Sequence, residues 1–192
     1  MLLERLDGER TLAREPLDAA VTVLAELVST LAIPVPPTVR GIDQIAAGHV
    51  ETFERDWTAL SAPFPRRQLD EAIRCARRRA AVQPPPSAVD GDLHFEQVLA
   101  GTRAPWLVVD PVLLRGDPEY DLGRILWSRL DEIPDDTAVR RLFDLFVGIA
   151  DVPADRARDW VVIRSVSYLV WGLRKGLTED PPRCRRLLDV FA

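Results

Sequence analysis

Three side chains in this sequence have the types and the spacing to do chemistry together. Asp92, Gln97 five residues later, and Asp110 beyond a short apolar fold-back supply, in that order, a proton acceptor, an amide oxygen and a second carboxylate. An aspartate that takes the proton of an attacking hydroxyl, followed by two oxygen ligands for Mg²⁺, is one half of a phosphoryl-transfer site, where the protein mainly positions the reactants and neutralises charge. The spacing has a mechanical reason. A loop followed by a short strand puts the base and the amide on one side, and the returning strand brings the second carboxylate back beside them. The strand lysine that pairs with nucleotide phosphates has no good candidate, because Lys175, the only lysine, falls deep in the C-terminal helical region.

The elements that must hold this constellation can be read around it. Gln83-Pro84-Pro85-Pro86-Ser87 ends a helix and delivers Ala88 and Val89 as a short strand into the loop. Gln97 to Leu99 and Trp106 to Val109, separated by the turn-like Gly101 to Pro105, read as a β-hairpin, the only convincing β-structure in the chain. Upstream, Pro16 precedes a helix with Leu17, Val21, Leu24, Val28 and Leu31 on one face, stopped by Ile33-Pro34-Val35-Pro36-Pro37. A second helix runs from about Ile42 to Leu60 with Ile45, Val50, Phe53 and Trp57 on its apolar side. Pro63 and Pro65 open a third, lined by Leu69, Ala72, Ile73, Ala76 and Ala80, while Arg74, Arg77, Arg78 and Arg79 crowd the other face. The arginines read as a solvated face in preference to a polyanion patch. Downstream, Asp117 and Pro118 predict a cap and first-turn proline for a helix carrying Leu122, Ile125, Leu126 and Leu130, and helices follow at Thr137–Ala150, Pro153–Leu173 and Arg183–Phe191.

Composition sets limits. With 192 residues, 47% hydrophobic and 29% charged, the chain suits one globular domain with a substantial core. A net charge of −5 gives no footprint for nucleic acid and suits a cationic small molecule. Cys75 and Cys184 read as free buried thiols. The longest apolar run, Trp160 to Leu173, is interrupted by Arg164 and too short to span a bilayer, so a cytoplasmic protein without membrane contact is expected. His94 reads as a packing residue, His49 receives no role, and Asp121 is expected to accept a hydrogen bond that holds the loop.

Gly91-Asp92-Leu93-His94-Phe95-Glu96, Pro105-Trp106-Leu107-Val108-Val109-Asp110-Pro111 and Gly116-Asp117-Pro118-Glu119-Tyr120-Asp121-Leu122 resemble the aminoglycoside and hydroxyurea antibiotic resistance kinase family, which includes streptomycin 6-kinases. Leu2 to Leu6 resembles its interlobe linker, and Trp171-Gly172-Leu173 through Pro181 resembles its last helices. The resemblance implies a mainly α (α+β) fold, the C-terminal lobe of the protein-kinase-like fold with a small β-hairpin carrying the catalytic loop and the N-terminal β-lobe absent. Residues 1–15 would be hinge-like, 16–82 a helical subregion, 88–111 the catalytic loop and metal-binding hairpin, and 117–192 the C-terminal helices.

It further implies ATP-dependent phosphorylation of a hydroxyl on an antibiotic-like small molecule such as streptomycin or hydroxyurea. Asp92 would be the base, Gln97 and Asp110 the Mg²⁺ ligands, and Leu3, Glu4 and Leu6 the nucleotide contacts. Trp171, Glu179 and Asp180 are candidates for the acceptor pocket; the competing assignment makes Trp171 core and Glu179 with Asp180 a helix cap. Two positions depart from the family pattern, which has His where Asp90 stands and Asn where Gln97 stands. These departures, with the expected loss of the lobe, leave a second reading: a catalytically inactive remnant or a small-molecule or partner-binding module. The face left by the lobe is expected to be apolar and to favour self-association or a protein partner.

Overall fold

The structure, a computed structural model, describes Glu4 and residues 6–192. Seven α-helices among these residues surround a small amount of β-structure: β1 (Asp7–Thr11), α1 (Leu17–Leu31), α2 (Ile42–Ala59), α3 (Arg66–Ala80), β2 (Ala88–Val89), β3 (Val98–Ala100), β4 (Trp106–Val108), β5 (Leu114–Arg115), α4 (Leu122–Ser128), α5 (Asp136–Ala150), α6 (Ala154–Lys175) and α7 (Asp180–Phe191). No described helix is long and apolar enough to cross a membrane.

α6 is the hub. Its long apolar stretch buries Trp160, Val161, Val162, Ile163, Val166, Leu169 and Val170, and it packs against α7, α3, α4 and α2. Pro153 ahead of its first turn fixes the entry, and Gly176 at φ 71° takes the left-handed position that ends it. α1 buries Val21, Leu24 and Val28, as its spacing predicts, and lies along α5, to which Ser29 Oγ adds a 3.2 Å hydrogen bond on the Ala150 carbonyl. The Asp135 carboxylate starts α5 by accepting from the Ala138 amide at 2.8 Å. Both cysteines are free and buried, as their sparse spacing suggests.

The hairpin forms as its turn residues predict, with Val98 opposite Val108, Leu99 opposite Leu107 and Ala100 opposite Trp106. It is not the only β-structure. β1 adds antiparallel to β3, with an irregularity between Asp7 and Thr11, so part of the segment expected to be hinge-like is the edge strand of a three-stranded sheet. β2 pairs antiparallel with β5, Val89 opposite Leu114, and clamps the two ends of the 88–115 segment together.

Three further expectations are corrected. The helix predicted from Asp117 is a 3₁₀ turn (Pro118–Asp121), the short α4, and a second 3₁₀ turn (Leu130–Glu132). Asp117 does not cap it: its Oδ2 accepts from Trp160 Nε1 at 2.8 Å. α7 begins at Asp180, because Pro181 and Pro182 occupy first-turn positions where no amide is needed. Nor are the α3 arginines merely solvated. Arg78 donates to both oxygens of the buried Asp159 of α6 (3.1 and 2.6 Å), and Arg79 Nε lies 3.1 Å from the same carboxylate.

Candidate active site

The loop between β2 and the hairpin is held from below by two elements. The Gly91 amide donates to Asp121 Oδ2 at 2.8 Å, which is the loop-holding role expected of Asp121. Arg164 of α6 reaches the Gly91 carbonyl (3.2 Å) and the Tyr120 hydroxyl (3.1 Å) and stands 3.5 Å from Asp121 Oδ1. Burial lifts the Asp121 carboxyl above its ordinary range, against the opposing pull of Arg164 and the Gly91 N–H. Gly91 itself has φ +88° and no room for a side chain: a Cβ would lie 2.6 Å from the Val112 carbonyl oxygen and 2.9 Å from Leu114 Cδ1.

Asp92 follows with its side chain 40% exposed, facing out of this scaffold. Its Oδ1 accepts from Arg124 Nε of α4 at 3.1 Å, and its amide donates to Asp90 Oδ1 at 3.1 Å. Asp90, where the family pattern has His, is buried with Oδ2 unpartnered. Its carboxyl is raised, first by burial and then by the charges of Asp92 and Asp110. The loop and the end of β4 therefore converge around Asp90.

Gln97 sits in a 3₁₀ turn just before β3, not in the strand itself. Its Nε2 makes a long, 3.5 Å contact with the Asp110 carbonyl, and its Oε1 is buried with no hydrogen-bond donor. Asp110 is exposed and carries φ 52°, a left-handed conformation that aspartate tolerates better than most residues. Among the described residues no three His, Cys, Asp or Glu side chains stand close enough to bind a metal by themselves. One carboxylate and one orphaned amide oxygen nevertheless fit Mg²⁺, which is commonly held through one or two carboxylates with substrate phosphates and water completing its octahedron.

The remaining candidates divide. Leu3 lies outside the described residues. Leu6 is half-buried, and the Glu4 carboxylate is committed to the hairpin turn, accepting from Thr102 N (2.6 Å) and Oγ1 (2.7 Å), which holds its carboxyl below the ordinary range. Asp180 lines a cleft of about 180 Å³ with His94, Glu96, Arg124, Arg129 and Arg183, and Arg124 joins this cleft to Asp92, which does not itself line it. Trp171 lies one ring further out, 45% exposed, its centroid 5.0 Å from that of Tyr168. Glu179 is exposed and does not line the cleft. His94 is half-buried, its pKa lowered by burial and by Arg124. A larger cleft of about 600 Å³ separates α1 from the hairpin, with a mainly apolar lining that includes Val23, Leu27, Trp106 and Val108.

Sequence reasoning missed Arg124, Arg164 and Tyr168. Arg164 left a trace as the one charge interrupting the apolar run of α6. Arg124 left another as the residue one helical turn beyond Asp121.

Two solved structures share the fold at identities too low to carry more than the fold. Choline kinase LicA from Streptococcus pneumoniae aligns with TM-score 0.61 and 11% identity over 98% of this chain and 66% of its own. A thermostable mutant of aminoglycoside phosphotransferase APH(4)-Ia, in a ternary complex with ADP and hygromycin B, aligns with TM-score 0.61 and 16% identity over 98% and 70%. The fold is thus kinase-like, helix-rich with small sheets. Streptomycin 6-kinase of Streptomyces griseus is 39% identical over all of this chain, which spans 64% of that protein's length. Hydroxyurea phosphotransferase of Kitasatospora aureofaciens is 35% identical, with 56% of its length covered. The model of the aminoglycoside/hydroxyurea antibiotic resistance kinases matches residues 1–176, and the chain belongs to that family.

Proposed function

We propose that this protein takes part in ATP-dependent phosphorylation of a hydroxyl on a small antibiotic-like molecule, streptomycin and hydroxyurea being the acceptors its relatives' names suggest. The observation that carries this reading is the half-exposed Asp92, bonded to the cleft-lining Arg124 and on the same loop and hairpin as Gln97 and Asp110. Asp92 accepts the acceptor's hydroxyl proton as the oxygen bonds to the γ-phosphorus of ATP and the bond to the β–γ bridging oxygen breaks, giving a phosphate ester and ADP. Asp110 and Gln97 would hold Mg²⁺, which when bound neutralises the nucleotide phosphates. The backbone at Leu6 receives the adenine. Asp180 lines the acceptor cleft with Trp171 one ring further out, where a carboxylate near an aromatic ring suits a polyhydroxylated or cationic molecule.

Calorimetric titration with Mg-ATP tests the nucleotide half, and ³¹P NMR of streptomycin or hydroxyurea incubated with the protein tests the transfer. Metal-dependent binding that weakens in Asp110→Ala is expected, as is a loss of turnover of about a thousandfold in Asp92→Asn. No heat at millimolar nucleotide would instead favour a small-molecule-binding module without catalysis.

A further inference from the structure

We infer that Arg124 is the positioning residue for Asp92: it fixes one carboxylate oxygen and leaves the other to meet the acceptor hydroxyl. The inference deepens the phosphotransfer reading and rests on it. Two consecutive loop residues are gripped from positions three apart at the start of α4, since Asp121, just ahead of the helix, holds the Gly91 amide and Arg124 holds the Asp92 carboxylate. The bond to Asp92 is single, Nε to Oδ1 at 3.1 Å. A bidentate fork would occupy both oxygens and shut the carboxylate off from a substrate. One bond sets its rotation and leaves Oδ2 available.

Arg124 is itself fixed. Its guanidinium carbon lies 5.4 Å from the Tyr168 ring centroid and 5.7 Å from that of Trp127, and those two rings stack at 4.7 Å. Only 17% of the side chain is exposed, against 40% for Asp92. The more buried and better-packed partner therefore orients the more exposed one. A carboxylate free to rotate on a loop spends little time in a productive orientation, and a misplaced catalytic group costs about a hundredfold in rate. Arg124 also lines the cleft that holds Asp180, so the cation that orients the base forms part of the acceptor's wall.

The test has two arms. In the first, Arg124→Met, which keeps an apolar stem against Tyr168, and Arg124→Ala are assayed for acceptor phosphorylation. A fall in kcat of about a hundredfold is expected with the KM for ATP moved less than about threefold. Guanidinium chloride at tens of millimolar should restore roughly tenfold or more to the alanine variant, where the vacated space admits it, and nothing to the methionine variant. In the second arm, independent of turnover, the amide resonances of Asp92 and Leu93 are followed by NMR. They should move in Arg124→Ala and return saturably toward their wild-type positions with guanidinium. The double variant Arg124→Ala/Asp92→Asn should not respond. Unmoved resonances in Arg124→Ala, or a guanidinium response that survives in the double variant, would overturn the inference. Absence of phosphorylation by the wild-type chain would count against the functional reading alone, because the NMR arm still decides whether Arg124 orients Asp92.

Discussion

Replacing Gly91 by alanine should be the most damaging one-carbon change in this protein. The backbone sits at φ +88°, where an L-residue is disfavoured by about 1–2 kcal/mol relative to glycine. The added Cβ would stand 2.6 Å from the Val112 carbonyl oxygen, a backbone atom that cannot swing aside like a side-chain tip, and 2.9 Å from Leu114 Cδ1. Relieving that overlap means moving the loop off β5, and forced shifts of this kind cost about 1–3 kcal/mol. The total, about 2–5 kcal/mol, is a large part of the roughly 5–15 kcal/mol that stabilises a domain. Urea denaturation with a matched control measures it. Gly48, inside α2, has nothing within 4 Å of a built Cβ, so Gly48→Ala should stabilise by about 0.5–1 kcal/mol. Hydrogen exchange gives the local readout, because the 2.8 Å bond from the position-91 amide to Asp121 should be lost and its protection with it. A Gly91→Ala protein within 1 kcal/mol of wild type, with that amide still protected, would refute the account of how the loop is held.

Other perturbations test the frame around the loop. Asp159→Ala should cost about 3 kcal/mol by urea midpoint, since it leaves Arg78 and Arg79 without their shared carboxylate; a cost below 1 kcal/mol would mean that the pair is idle. Trp160→Phe removes the indole donor from the buried Asp117 and should cost about 1–3 kcal/mol, with Asp117→Asn in the same background recovering part of it. His49, stacked on Phe53 with ring centroids 4.6 Å apart, has its pKa pushed down to about 4 by burial and then by Arg164 and Arg40. The folded chain therefore leaves this imidazole neutral between about pH 6.5 and 4 while the unfolded chain protonates it, so its share of stability is present above pH 6.5 and lost on acidification. His49→Leu should flatten the fall in urea midpoint between pH 7 and pH 5, and an unchanged slope would remove His49 as its source.

What the sequence disclosed and what it hid separate along a physical line. α1 and the hairpin were legible because their determinants are local: an apolar 3–4 period bounded by prolines in one case, and short apolar runs around a glycine-containing turn in the other. β1 was not, since Asp-Gly-Glu-Arg-Thr has neither alternation nor apolar content and is almost wholly exposed. It is a strand only because β3 offers it an open edge. Asp117 looked like a cap because a cap is a local structure, but an indole donor more than forty residues away claims its oxygen. The arginine face of α3 read as solvated because the charge that draws in Arg78 and Arg79 belongs to another helix.

One pattern links these hidden contacts and extends to the candidate site. Trp160, Arg164 and Tyr168 stand four residues apart on α6, the hub helix, and so share one face. Taken in turn they touch Asp117, the Gly91 carbonyl with Tyr120 and Asp121, and Arg124. A single helix face thus sets the segment below the loop, the loop itself and the arginine that orients Asp92. Hydrophobic periodicity alone treats Arg164 as a defect in a core helix. The energetic argument reverses that, because a guanidinium buried in such a helix costs several kcal/mol unless carboxylates and carbonyls meet it. Its presence therefore calls for partners of that kind nearby, and Asp121 with the Gly91 carbonyl meets the requirement. The departure of one side chain from the apolar pattern was the strongest pointer from the core of this fold to its chemistry.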